Sequence, residues 1–331
     1  MVGNQPLRIV YFGTPAFAVP SLEALIRSRH QVVALVSQPD RPRGRGQQLQ
    51  ATPTRQVAVA HGIPVLQPQK IREEGFLGAI RAYQPDLGVV AAFGRILPDA
   101  LLAIPRLGMI NVHASRLPKY RGAAPIQRAV LAGERETGVS IMRVVTELDA
   151  GPTFAIAGMP IGPDETSGDV EARLAIVGAE ALIPVVDDLA AGRAIETPQD
   201  ASQATFAPKV TKEESEIVWT DHARVIHNKV RGLQPWPLAS THLAGVRYVI
   251  RRTECVIERP GSDPIRGEWV NGRPGSDPGR VLRAAGDDLV VACGEGTALR
   301  ILEIQPEGRR TMTAREFLAG RRLTAVDRFG T

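Results

Sequence analysis

The first hundred residues alternate short apolar runs with helical patterns, and that rhythm constrains the fold more than any other feature of the chain. "LRIVYF" precedes "AVPSLEALIRS", "QVVALVS" precedes the pattern in "TPTRQVAVAHG", and "LGVVAAF" precedes "LPDALLAI". Strand–helix–strand repeats of this kind build a mainly parallel sheet with helices on both faces. The expectation is an α/β fold with a Rossmann-like N-terminal domain. With 331 residues the chain exceeds one ordinary core, so a second domain is expected. A long helical pattern from Ser167 to Ala191 closes a first domain placed at residues 1–192. The polar stretch beginning "RAIETPQDASQATF" reads as a linker, residues 193–210. In residues 211–331, "RYVIRRTECVIE", "GRVLRAAGDDLVVAC" and "ALRILEIQPEGRR" are short strand-like runs with turn signals, as in a small β barrel.

Several function classes lose support at once. Gly13, Thr14 and Pro15 follow the first strand where a dinucleotide fingerprint needs three spaced glycines, which disfavours a nicotinamide or flavin cofactor and an oxidoreductase. No GxxxxGK(S/T) motif supports nucleotide hydrolysis. Cys255 and Cys293 are the only cysteines and stand in no metal-ligand spacing, so no metal is expected. No stretch approaches the roughly 18 to 20 apolar residues of a membrane helix. The expectation is a cytoplasmic monomer with no membrane partner. A net charge of +5 is compatible with a polyanionic partner without requiring one.

Candidate chemistry sits in "NVHASRLPKYRGAAPIQ", which follows the apolar "LGMI". Strand alternation points Asn111 and His113 to the same side of the sheet. "TGVSIMRVVTELDAGP" adds a β run and then Asp149 in a Gly/Pro-rich turn, and a strand ending beside the Asn/His strand would bring that carboxylate to the imidazole. An amide can stabilise a developing oxyanion, a protonated His can add charge to it, and a carboxylate can hold the imidazolium and relay a proton. On spacing alone, a structural His and an ordinary turn Asp remain open alternatives. No GxSxG nucleophile elbow is present, so a covalent acyl-serine route has less support.

The run from Asn111 to Ile141, followed by "ELDAGP", resembles the signature region of the folate-dependent formyltransferases. The resemblance implies that Asn111, His113 and Asp149 transfer a formyl group from 10-formyltetrahydrofolate, the co-substrate, to an amine. It also implies that folate packs on the turn of Ser115, Arg116, Leu117 and Pro118 and near the "AAFGRILP" loop, with Phe93, Gly94 and Ile96. Arg116 departs from the family's usual Ser-Leu-Leu-Pro turn; the expectation is that its stem lies along apolar surface and its head reaches water.

The acceptor is read from two further stretches. "PDRPRGRGQQLQATPTRQ" is a long, basic, Gly/Pro-interrupted connection between a strand and its crossover helix. By composition it fits either a solvated loop or a phosphate-binding one. "QPDRPRGRG" resembles the insertion loop of the methionyl-tRNA branch of the family, which implies that Arg41, Arg43 and Arg45 contact the acceptor stem of methionyl initiator tRNA. "RGLQPWPLAS" resembles the segment that opens that branch's OB-like, tRNA-binding C-terminal domain. From Lys209 onward there are 20 Lys and Arg against 16 Asp and Glu, so +4 of the net +5 lies there. Arg251, Arg252, Arg309, Arg310, Arg321 and Arg322 are candidates for phosphate contact, and Trp236, between two prolines, is expected to be a packing wedge. The rival readings are an amino-sugar-nucleotide formyltransferase, for which the arginine loop has no purpose, and a non-catalytic RNA-binding protein on the same scaffold, for which the complete triad has none.

Overall fold

The computed structural model describes residues 5–43, 48–256, 277–324 and 326–330. The chain divides into two compact units, the first comprising Met1–Ile126, Glu136–Pro160 and Asp169–Pro208, the second Gln127–Arg135, Ile161–Gly168 and Lys209–Thr331. Residues 193–208, whose composition suggests a linker, therefore belong to the first unit.

The first unit is built on β1 (Arg8–Gly13), β2 (Gln31–Val36), β5 (Val65–Leu66), β6 (Leu87–Ala91), β7 (Met109–His113), β8 (Glu136–Arg143) and β9 (Thr153–Pro160), with β3 (Arg41–Arg43) and β4 (Gln48–Gln50) apart. The seven strands lie in the order β5-β2-β1-β6-β7-β8-β9. The first five run parallel, while β8 is antiparallel to β7 and β9 to β8. Central strands such as β1, β2 and β6 are continuous apolar runs because both their faces are buried. Helices α1 (Val19–Arg27), α2 (Pro53–Ala60), α4 (Asp99–Leu102) and α6 (Ser167–Ala191) follow the expected rhythm, although "LPDALLAI" yields only the four-residue α4; α3 (Glu74–Ala82) is additional, and α5 (Pro125–Leu131) lies mostly in the second unit. Pro20 and Pro53 stand in the first turns of α1 and α2, where a missing N–H costs nothing.

Close approaches at two glycines hold β7, which carries the candidate site, and the end of β1. A Cβ on Gly178 of α6 would lie 2.8 Å from Val112 Cγ1, so the glycine lets the helix press against the face of β7 opposite Asn111 and His113. At the end of β1, a Cβ on Gly13 would lie 2.7 Å from the Tyr11 ring and 2.8 Å from Ala18. The Tyr11 hydroxyl donates to Ala18 O at 2.6 Å, which ties the following turn to the strand.

The second unit contains α7 (Ala223–Gly232), β10 (Ser240–Leu243), β11 (Val246–Val256), β12 (Val281–Ala285), β13 (Asp288–Ala292), β14 (Ala298–Pro306), β15 (Met312–Thr313) and α8 (Ala314–Gly320). Its antiparallel sheet follows the order β10-β11-β14-β13-β12, with β15 on β14. The two sheet edges are bridged by the chain beyond α8: Arg328 pairs with Arg280 beside β12, and Phe329 pairs with Leu243 of β10. Phe329 is buried against Trp219 with ring centroids 5.6 Å apart. This closure makes the sheet barrel-like and protects both edges. Trp236 differs from the expected wedge, being 55% exposed, while Trp219 is buried in this core. The first copy of the repeated "RPGSDP" lies outside the described residues.

Candidate active site

Strand β7 ends at the candidate site. Asn111 is half-buried, His113 is 5% exposed, and both project from the same face of the strand. Among the described residues, the Asn111 side chain has no hydrogen-bond partner, so its amide donors are unspent. His113 has a partner on each nitrogen. Nε2 lies 3.0 Å from Tyr120 O, which can only accept, so Nε2 carries a proton. Nδ1 faces Asp149 Oδ2 at 3.7 Å.

Asp149 reaches that position by a different route from the one its sequence suggests. Strand β8 runs antiparallel to β7, with Ser140 opposite His113 and Arg143 opposite Ile110, so it ends at the start of β7. The connection through residues 144–152 then folds back to present Asp149. Its carboxylate accepts from Gly122 N at 2.8 Å, and its backbone is left-handed, φ 48°. Thr146 Oγ1 donates to Asp99 Oδ1 at 2.9 Å and ties this connection to the start of α4.

The turn expected to hold folate is rigid. Ser115 is fully buried and donates to Lys119 O at 2.6 Å, while Ser140 Oγ accepts from Leu117 N and donates to Ser115 O. Leu117 is buried and Pro118 half-buried. Arg116 lies across β8 and β9: a Cβ on Gly138 would meet its Cγ at 2.7 Å, and its exposed guanidinium pairs with Glu136. In the "AAFGRILP" loop, Phe93 is 2% exposed and packs edge-on to Phe12, with centroids 5.6 Å apart. The Phe93 side chain is thus spent on the core, and Gln38 Nε2 donates to its carbonyl at 2.8 Å. Gly94 takes φ 77°, and Ile96 is 75% exposed.

The described ends of the basic connection are paired, which their Gly/Pro surroundings do not suggest. β3 and β4 pair Arg41 with Gln50 and Arg43 with Gln48 through their backbones, so the two ends form a hairpin. Arg41 is exposed, with Nη2 3.4 Å from Gln38 Oε1. Arg45 lies outside the described residues. The hairpin base is pinned by Asp40, which pairs with Arg55 and accepts from Gln67 Nε2 at 2.8 Å.

Residues without a functional signature also shape the site. Tyr120, Arg121, Gln199 and Thr205 all hydrogen-bond to the His113 and Asp149 surroundings. Gln199 and Thr205 sit in a polar stretch whose composition carries no signal for them. Among the described residues, no three His, Cys, Asp or Glu side chains form a metal-ligand group, and no helix is long and apolar enough to cross a membrane.

Two family models cover nearly the whole chain: Formyl transferase matches residues 7–186, and Formyl transferase, C-terminal domain, matches residues 209–322. A methionyl-tRNA formyltransferase of Methylococcus capsulatus is 45% identical over 96% of this chain and 99% of its own length. One from Anaeromyxobacter dehalogenans is 46% identical over 96% of this chain and 97% of its own. In fold, the chain is similar to the N-formyltransferase of Helicobacter canadensis solved with folinic acid and dTDP-3-aminofucose, with a TM-score of 0.63, 15% identity, and coverage of 91% and 99%. With both of its domains present, the chain belongs to the formyl transferase family.

Proposed function

We propose that the protein transfers the formyl group of 10-formyltetrahydrofolate to the α-amine of methionyl initiator tRNA, acting as a single chain in the cytoplasm. The observation that carries this reading is the buried His113 facing Asp149 at 3.7 Å, next to an Asn111 amide with unspent donors. Near-full-length identity of 45% to a methionyl-tRNA formyltransferase supports the acceptor.

Each group has a task. The unprotonated amine attacks the formyl carbon, a C–N bond forms, and the formyl oxygen becomes negative. Asn111 donates to that oxygen, and a doubly protonated His113 adds positive charge beside it. Asp149 faces the imidazolium and takes up the amine proton through a water. The oxyanion then collapses, the bond from the formyl carbon to the folate nitrogen breaks, that nitrogen takes up a proton in place of the one the amine lost, and tetrahydrofolate leaves.

The residues suit a folate co-substrate. Ile96 and Leu148 are 75% and 56% exposed on two connections tied by the Thr146–Asp99 hydrogen bond, offering apolar surface for a planar ring. Ser115, Leu117 and Phe93 are buried, so in this reading they shape the pocket through their backbone. Arg41, Arg43 and Arg45 are assigned to the acceptor stem, where guanidinium groups suit phosphates and base edges.

The test is transfer of labelled formyl from 10-formyltetrahydrofolate, with methionyl initiator tRNA, methionyl elongator tRNA and an amino-sugar nucleotide as parallel acceptors. Product confined to the initiator is the expected outcome. Transfer to the sugar alone would overturn the acceptor assignment, and tRNA binding without transfer to any acceptor would overturn the enzymatic reading.

A further inference from the structure

Both partners of the His113 ring are presented by left-handed residues, Tyr120 at φ 60° and Asp149 at φ 48°. Such a backbone is unfavourable for side chains with a Cβ and persists where the surroundings over-determine it. In this structure the surroundings are one short stretch, Thr197 to Ala207, that no motif marks.

On the Asp149 side the stretch acts through Gln199. Its Nε2 donates to Asp149 O at 2.8 Å and Gly151 O at 2.7 Å, and its Oε1 accepts from Arg121 Nε at 3.1 Å and Nη2 at 2.9 Å. The amide orientation is forced, since carbonyls only accept and a guanidinium only donates. All four hydrogen-bonding sites of the amide are used. Arg121 is 5% exposed, and the next residue, Gly122, donates to the Asp149 carboxylate. On the Tyr120 side, Thr205 Oγ1 accepts from Tyr120 N at 2.9 Å and Thr205 O accepts from Arg121 N at 2.8 Å. Arg121 O accepts in turn from Ala207 N at 2.7 Å. Thr197 anchors the start of the stretch by exchanging backbone hydrogen bonds with Thr153 of β9 at 2.9 and 2.8 Å.

We infer that Gln199 is a positioning residue for formyl transfer, bolting the Asp149 connection to the Arg121 turn so that His113 keeps both of its partners. Gln199 acts through Asp149, so the inference rests on the catalytic role proposed for that carboxylate. Loss of the bolt misplaces the carboxylate and leaves substrate contacts in place. Misplacement of about 1 Å in an active site can cost on the order of 10²-fold in rate.

The experiment is a double-mutant cycle in the full-length enzyme, with kcat and both KM values measured for Gln199→Ala, Asp149→Asn and the double variant. Gln199→Ala should lower kcat by about 10- to 100-fold with both KM values within about threefold. Added to Asp149→Asn, it should cost less than about twofold more, because both changes remove one function. Gln199→Glu keeps the acceptor for Arg121 but aims oxygen at two carbonyls, so it should be as impaired as Gln199→Ala. That near-isosteric variant, with its melting temperature measured, separates positioning from a failure to fold. Wild-type kcat in either Gln199 variant, or a full multiplicative penalty on the Asp149→Asn background, would overturn the inference. Wild-type kcat in Asp149→Asn alone would instead overturn the catalytic role of Asp149.

Discussion

At the scale of single residues, Asn111 and Arg116 show how position on a strand or turn assigns a role. Asn111 shares a strand face with His113 and has donors to spare, which in the proposed reaction fall to the oxygen where charge develops. Asn111→Ala should therefore lower kcat by about 10²- to 10³-fold, the usual effect of losing one oxyanion donor. KM for tRNA should change little; a rise in KM with unchanged kcat would make the amide a binding group. Arg116 behaves oppositely. Its stem covers Gly138 and its head pairs with Glu136 at the surface, so Arg116→Leu should keep the folate KM within about twofold of wild type. A larger rise in steady-state assays would show that the guanidinium reaches the pocket.

At the scale of elements, the arginine hairpin and α6 each make a separable contribution. Asp40 pairs with Arg55 and accepts from Gln67, which fixes the chain just before β3. Arg45→Ala should raise KM for tRNA far more than it changes folate affinity, and equal loss of both would count against the assignment. Helix α6 is held through Asp187 by His30, just before β2. Leu7 N donates to His30 Nδ1 at 3.0 Å, so the ring proton is on Nε2, which donates to Asp187 Oδ1 at 3.1 Å. Burial holds this imidazole below its ordinary pKa; Asp187 pulls the other way, and the nearby Arg29 adds to the depression. The unfolded chain then binds more protons than the folded one just below pH 6.5, so stability is complete above that pH and declines as pH falls. Denaturation of wild type and His30→Gln between pH 5 and 7.5 should show this decline, up to about 1.4 kcal/mol per pH unit, in the wild type only. Sequence made some of these elements legible and hid others for physical reasons. Asn111 and His113 were readable because strand alternation is local. The antiparallel turn of β8 was not, since apolar spacing carries no strand direction. Gln199 and Thr205 were hidden because they bind backbone carbonyls and amides of turns distant in sequence, which leaves no pattern in residue type. The β3–β4 pairing was masked by Pro42 and the surrounding glycines, which ordinarily signal loops.

At the scale of the whole molecule, the question is what the basic excess does once the chain has folded. Of the C-terminal arginines considered for phosphate contact, Arg310 lies 2.8 Å from Glu316 and Arg321 is held by the Tyr248 hydroxyl, so both are engaged within their own unit. Arg315 with Asp287, and Arg300 with Glu254 and Asp288, further reduce the available cations. Arg252, Arg309 and Arg322 remain exposed in the second unit, as does Arg41 in the first, and exposed guanidinium groups suit a polyanion. Each phosphate neutralised releases counterions, so log KM for tRNA should rise linearly with log salt, by about 0.7 to 0.9 per contact. A slope of about 3 to 4 is expected for four such contacts, and KM for 10-formyltetrahydrofolate, measured over the same 50 to 200 mM KCl series, should change by less than about twofold. Arg252→Ala and Arg322→Ala should each lower the tRNA slope by about 1 where the side chain meets a phosphate. A flat tRNA response would mean that the acceptor is held by uncharged contacts and that the basic excess from Lys209 onward is surface charge without a binding role.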